Sequence, residues 1–262
     1  MSEPVYDLQQ TLDFAVEIAR EAGEIALHYF RRGRSSLVVN RKSDGSFVTT
    51  ADRETEARLR SRIAKTFPED AILGEEEGER AGASGRRWII DPIDGTYSFV
   101  HGVPLWGVLI GLEAEGEPAL GVVNLPALDE IVYARCGGGC FWNGNLASVS
   151  ATARLEDSLI LSTDFGTCEK HGFGKACEEL QRRSHARRTW GDAYGHVLVA
   201  TGRAEVMLDP VMNVWDCAAL LPIVIESGGT FTDWNGTPTI YGGNAISTNK
   251  LLLEDTLHAI RS

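Results

Sequence analysis

The chain has no CxxC pair among its five cysteines. Cys136-Gly137-Gly138-Gly139-Cys140 lacks the second ligand pair that a zinc site of about four ligands would need. An odd, scattered set of thiols argues against a disulfide framework and for buried free cysteines in a reducing compartment. Basic residues are also in short supply: 25 Lys and Arg face 37 Asp and Glu, a net charge of −12, which leaves no basic stripe for nucleic acid. No apolar run approaches the roughly 18 residues of a membrane span. The N-terminus shows no charged-then-apolar signal pattern. A cytoplasmic protein without nucleic-acid or membrane partners is therefore expected. Internal repeats and low-complexity tracts are missing too.

What is present fits an ordinary globular chain. The length of 262 residues suits one large domain or two packed halves. Leu8, Leu12, Ala15, Ala19, Ala22, Ala26 and Tyr29 recur every three to four residues and predict a helix over 6–32, ended by Gly33. A polar segment, 40–45, precedes Phe47-Val48-Thr49-Thr50. Asp52 is placed as the cap of a second helix, whose inner face is Thr55, Leu59, Ile63 and Phe67 and which stops at Pro68. Residues 71–73 read as a strand and 80–87 as a surface loop. Closely spaced strands at 87–91, 105–114, 119–125 and 130–135 predict an antiparallel, hairpin-connected sheet. After about residue 150 strands at 159–161, 205–208 and 245–247 alternate with helices near 172–183, 192–201, 214–227 and 250–260, which predicts a second α/β layer. Pro222 falls inside the 214–227 helix, where it should cost about 3 kcal/mol unless the helix kinks. The expected halves are 1–145 and 146–262.

The chemistry is concentrated in Asp91-Pro92-Ile93-Asp94-Gly95-Thr96, directly after Trp88-Ile89-Ile90. Two carboxylates around a Pro-Ile pair at the end of a buried strand repel each other unless a cation lies between them. Oxygen ligands at this density suit a hard divalent cation such as Mg²⁺, and a Gly-Thr turn can offer backbone N–H groups to a phosphate. Other carboxylates also lie at element ends. Glu75 and Glu76 follow a short strand, and Asp216 stands in the first turn of a helix. Each has an ordinary structural role open to it: a solvated loop for Glu75–Glu77, a helix cap for Asp52, a partner of the helix dipole for Asp216.

Gly74-Glu75-Glu76, the Asp91–Thr96 hexapeptide and Trp215-Asp216-Cys217-Ala218-Ala219 resemble the three signatures of the inositol monophosphatase family, in order and spacing along nearly the whole chain. The resemblance implies a layered α-β-α-β-α sandwich of mixed α/β and α+β character, usually a homodimer, and Mg²⁺-dependent phosphomonoesterase activity with two or three Mg²⁺ per site. It implies metal ligation by Glu75, Asp91, the Ile93 carbonyl, Asp94 and Asp216, and active-site places for Lys42, Asp52 and Glu76. Under it, Thr96, oriented by Asp52, serves the attacking water beside Glu75, while the Gly95 and Thr96 N–H groups hold the phosphate. No serine or cysteine nucleophile stands in the signatures. Ser98 departs from the family's usual Asn and puts the local turn in question. His101 is read as a rim or structural residue rather than a base.

The leaving group has to be read elsewhere. Arg188-Thr189-Trp190-Gly191-Asp192 and Asp209-Pro210 are similar to the histidinol-phosphate phosphatase branch of that family. Carboxylates Asp192 and Asp209 suit the ammonium and imidazole of histidinol phosphate, although carboxylates also serve the hydroxyls of an inositol phosphate. An inositol or broad sugar-phosphate phosphatase is thus the alternative. A regulatory binding protein has no use for so many repelling acids, and the acidic chain, with no evident adenine site, disfavours a nuclease or a 3′-phosphoadenosine phosphatase. Arg188 is assigned a structural or interface role.

Overall fold

A computed structural model describes residues 7–34, 37–42 and 45–261. Tyr6, at the predicted start of the first helix, and Ser43-Asp44 of the polar segment lie outside them. Helix α1 (Leu8–Arg32) buries Leu12, Ala15, Ile18, Ala19, Ala22 and Ala26 along the predicted stripe. Strands β1 (Val39–Arg41) and β2 (Phe47–Thr49) form an antiparallel ribbon. Helix α2 (Thr50–Thr66) follows, with Thr55, Leu59 and Ile63 buried as expected. Its cap is Thr49, not Asp52. Asp52 is the third helical residue and its carboxylate reaches back to the Thr49 N–H, closing a capping box.

The first sheet has eight strands: β3 (Ala71–Gly74), β4 (Gly78–Arg80), β5 (Arg86–Asp94), β6 (Gly107–Ala114), β7 (Glu117–Leu125), β8 (Glu130–Arg135), β9 (Gly139–Trp142) and β10 (Asn145–Ala147). Their order is β10-β9-β8-β7-β6-β5-β3-β4, antiparallel throughout except for the parallel β3–β5 pair. Helix α3 (Thr96–Val100) follows β5. The second sheet has five strands, β11 (Leu159–Ser162), β12 (Ala186–Arg188), β13 (Val206–Asp209), β14 (Thr230–Thr232) and β15 (Ala245–Thr248), in the order β12-β11-β13-β15-β14. Around it lie α4 (Phe165–Lys170), α5 (Gly174–Arg183), α6 (Asp192–Ala200), α7 (Val214–Cys217), α8 (Leu220–Glu226) and α9 (Leu253–Arg261). The short β4, β9, β10, β12 and β14 carry too few alternating apolar residues to announce themselves in sequence.

Strand alternation makes the layers. On β5 and β6, Trp88, Ile90, Val108, Ile110 and Leu112 face α1 and α2. Their neighbours Ile89 and Leu109 face the other way, into a core shared with Val197 of α6, Ile223 and Val224 of α8 and Phe231 of β14. The far face of the second sheet, through Val206, Leu208 and Ile246, packs on Cys177 and Leu180 of α5 and Leu257 of α9. The result is the expected α-β-α-β-α stack. No described helix is long and apolar enough to cross a membrane.

The single helix expected over 214–227 is broken in two at Ala218-Ala219. The break accounts for Pro222, which lies in the first turn of α8, where an N–H has no intrahelical acceptor to lose. It also lets the junction press onto the sheet. Gly111 and Gly121 are cross-strand partners on β6 and β7. A Cβ at Gly111 would come within 2.6 Å of the Ala218 Cβ, and one at Gly121 would overlap the Ala219 carbonyl. Gly121→Val is therefore expected to lower stability by roughly 3 kcal/mol in chemical denaturation; an unchanged midpoint would contradict this close contact.

Candidate active site

The site lies where β3, β5, α6 and α7 end around one cavity of about 770 Å³. Asp91 and Asp94 close β5. On a regular strand two residues three apart point to opposite faces. Here the β5–β6 register slips between Asp91 and Asp94, with Asp91 opposite Leu109 and Asp94 opposite Gly107. The extra residue turns both carboxylates to one side. Asp216 comes from α7, where its Oδ2 accepts the Asn213 N–H at 2.7 Å. It thus plays the helix-terminus role and still reaches the other acids. One carboxylate oxygen from each of Asp91, Asp94 and Asp216 lies within 4.8 Å of the others.

Their environment is hostile to charge. Asp91 is 2% exposed and Asp94 9%. Burial first, then Glu75, Asp94 and Asp216, hold Asp91 well above the usual carboxylate range. Burial, then Asp192 and Asp216, do the same to Asp94 despite a 2.7 Å hydrogen bond from the Ala193 N–H at the start of α6. Burial pushes Asp216 up to about 7. Buried oxygen donors that raise one another in this way fit a hard divalent cation.

Glu75 lines the same cavity, but its Oε1 accepts from Lys42 Nζ at 2.7 Å, and so does Glu76 Oε1. Burial works to lower the Lys42 ammonium, and these two carboxylates outweigh it. Asp52 is fully buried behind them and pushed up to about 7, chiefly by burial. Its Oδ2 takes both the N–H and the hydroxyl of Thr49, at 2.8 and 2.6 Å, while Oδ1 has no partner. The expected Asp52–Thr96 bond is not formed. Thr96 Oγ1 instead donates to the Ile93 carbonyl at 3.0 Å, because Thr49, three residues away on the same capping box, is the nearer donor to Asp52.

Gly95 and Thr96 line the cavity at the start of α3. Gly95 has φ +78°, and a Cβ there would meet the Leu105 carbonyl at 2.9 Å and Asp192 Oδ2 at 3.1 Å. The turn holds without the family's Asn: Phe99 N–H donates to the Gly95 carbonyl and Val103 N–H to the Ser98 carbonyl. His101 stacks on Tyr97 with ring centroids 4.4 Å apart, outside the acid cluster. Arg188 lies over Trp190 and does not line the cavity.

Asp192 and Asp209 line the same cavity. Burial pushes Asp192 up to about 6 and Asp209 well above its usual range. Thr163, unmarked in the sequence reading, ties them together: its hydroxyl donates to Asp209 Oδ2 at 2.8 Å and accepts the Asp192 N–H at 2.8 Å. Glu56 was also missed. Wholly buried one turn beyond Asp52, it accepts the N–H groups of Glu76 (2.8 Å) and Glu77 (3.0 Å) and is paired with Arg60 at 2.7 Å. It holds the Glu75-Glu76 turn in place. An acid four residues before Arg60 looks in sequence like an ordinary helix-surface pair.

The comparisons agree with this architecture. The family model for the inositol monophosphatase family matches residues 7–262. The chain belongs to the inositol monophosphatase family. It is 46% identical over 250 residues to the histidinol-phosphatase of Chlorobaculum parvum, covering 95% of this chain and 96% of that protein. It is 36% identical to the histidinol-phosphatase of Mycobacterium tuberculosis, covering 94% and 96%. The crystal structure of the extragenic suppressor protein suhB from Bartonella henselae superposes with a TM-score of 0.91 at 30% identity, covering 97% of this chain and 99% of that one.

Glu56→Ala leaves the Glu76 and Glu77 N–H groups without their acceptor and removes the hydrogen bond from Arg60 Nε. It is expected to cost about 3 kcal/mol of stability and to raise the divalent cation concentration needed for half-maximal activity. Wild-type cation dependence in a folded Glu56→Ala protein would contradict the positioning role.

Proposed function

We infer that this protein hydrolyses L-histidinol phosphate to L-histidinol and inorganic phosphate, with Mg²⁺ as its cation. The observation that carries the reading is one cavity lined by two sets of acids. Asp91, Asp94 and Asp216 form the first, and Asp192 and Asp209, joined through Thr163, the second. The first set suits a metal and a phosphate, the second a leaving group that brings positive charge.

Glu75, Asp91 and the Ile93 carbonyl would hold one cation, and Asp91, Asp94 and Asp216 a second. Glu76 would order water around a third. Such cations, when bound, acidify a water molecule and neutralise the departing alkoxide. The chain's own groups do the rest. Gly95 and Thr96 N–H groups hold the phosphate. The Thr96 hydroxyl, fixed on the Ile93 carbonyl, orients the water beside Glu75. Lys42 Nζ bridges Glu75 and Glu76 and holds the two carboxylates close together. Asp192 and Asp209 take the ammonium and imidazole nitrogens of the leaving group. In this reading the halves 1–145 and 146–262 share the site, and the protein works in the cytoplasm as a homodimer. Relatives named histidinol-phosphatase favour this over the inositol or sugar-phosphate alternative.

Comparison of kcat/KM for histidinol phosphate and inositol 1-phosphate tests the substrate. A higher value is expected for histidinol phosphate, and the reverse order would overturn the assignment. Asp94→Asn keeps an acceptor for the Ala193 N–H and removes a repelling charge. It should lower Mg²⁺-dependent turnover by roughly 10³-fold, ~4 kcal/mol, with no loss of thermal stability. A fully active variant would contradict the metal role.

A further inference from the structure

His196 is a wholly buried imidazole on α6, four residues beyond Asp192, that the chemistry above does not use. Its Nδ1 lies 2.6 Å from the Ser247 hydroxyl on β15. Its Nε2 has no hydrogen-bond partner. That nitrogen is 4.0 Å from Asp209 Oδ2, beyond hydrogen-bond reach. An unpaired buried nitrogen costs about 1–3 kcal/mol. An apolar side chain beside the neighbouring Phe231 ring, 5.7 Å away, would avoid that cost. The nitrogen therefore needs a role, and Asp209 is the polar group it approaches.

Resting on the substrate reading above, we propose that His196 is a positioning residue for Asp209, and so sets the preference for a cationic leaving group. The role requires the tautomer in which Nδ1 accepts from the Ser247 hydroxyl and the imidazole proton stands on Nε2, facing Asp209. A closure of about 1 Å brings Nε2–H onto Oδ2. Burial pushes His196 down to about 3, so the donor is neutral and adds no charge to repel the substrate cation. With no cation beside it, the buried Asp209 favours its proton and asks for few donors. A cationic nitrogen in the cavity favours the carboxylate, whose lone pairs then take three donors: Thr163 Oγ1, the leaving-group nitrogen and His196 Nε2. A neutral polyol draws out no such charge, so His196 matters little for it.

Two substitutions separate this from a packing role. His196→Asn keeps a partner for Ser247 and loses the Nε2 donor, whereas His196→Gln places an amide N–H near the Nε2 position. His196→Asn should raise KM for histidinol phosphate roughly tenfold, with kcat within about twofold and KM for inositol 1-phosphate unmoved. His196→Gln should restore most of the loss. Ser247→Ala, which frees the tautomer, should shift the same KM in the same direction and covers the case in which His196→Asn fails to fold. An unchanged KM for histidinol phosphate, or an equal rise for both substrates, would overturn the proposal. If the wild-type protein itself favours inositol 1-phosphate, the substrate reading fails first and this inference falls with it.

Discussion

Mutual repulsion among buried carboxylates is the constraint around which this molecule is arranged. Asp91, Asp94 and Asp216 are close enough to share a cation and dry enough to resist ionising without one. The β5 register slip turns two of them to one side, and the split between α7 and α8 brings in the third. Gly111 and Gly121 let that split sit flush on the sheet. Each of these departures from regular structure serves the placement of a charge.

A second acid pair sits beside the first cluster. Asp192 and Asp209, joined through Thr163, line the same cavity as Asp91, Asp94 and Asp216. In the proposed reading the cluster of three takes the cation and the phosphate, and the pair takes the leaving group. Helix α6 connects the two, since its first N–H groups are bonded to Thr163 and Asp94 while His196 on its next turn lies behind Asp209.

The site was more legible in the sequence than the way it is held. Asp91-x-x-Asp94 declares itself because no packing role explains it, and the α1 stripe because its period is regular over 25 residues. The break at Ala218-Ala219 was hidden, since its cause is two glycines about a hundred positions earlier, on strands that had first to be paired. Asp52 read as a cap because its partner, Thr49, is equally good at capping, and only the fold shows which of them begins the helix. Thr96 was given the wrong partner for the same reason. Thr163 and His196 act through contacts with distant segments and leave no local pattern, and Glu56 shows only the spacing of a helix-surface pair with Arg60.

The central claim is that a divalent cation replaces protons on these acids. Their folded pKa values lie above the unfolded ones, so below about pH 7 the metal-free protein retains protons that the unfolded chain would release. Its stability from these groups therefore falls as pH rises from about 4 to 7, and cation binding must expel the protons still held. Calorimetric titration of Mg²⁺ near pH 6.5, in two buffers of different ionisation heat, measures this directly. The account predicts release of roughly one proton or more per site, fading as pH is raised toward 9. Saturable Mg²⁺ binding with no proton release at pH 6.5 would contradict it.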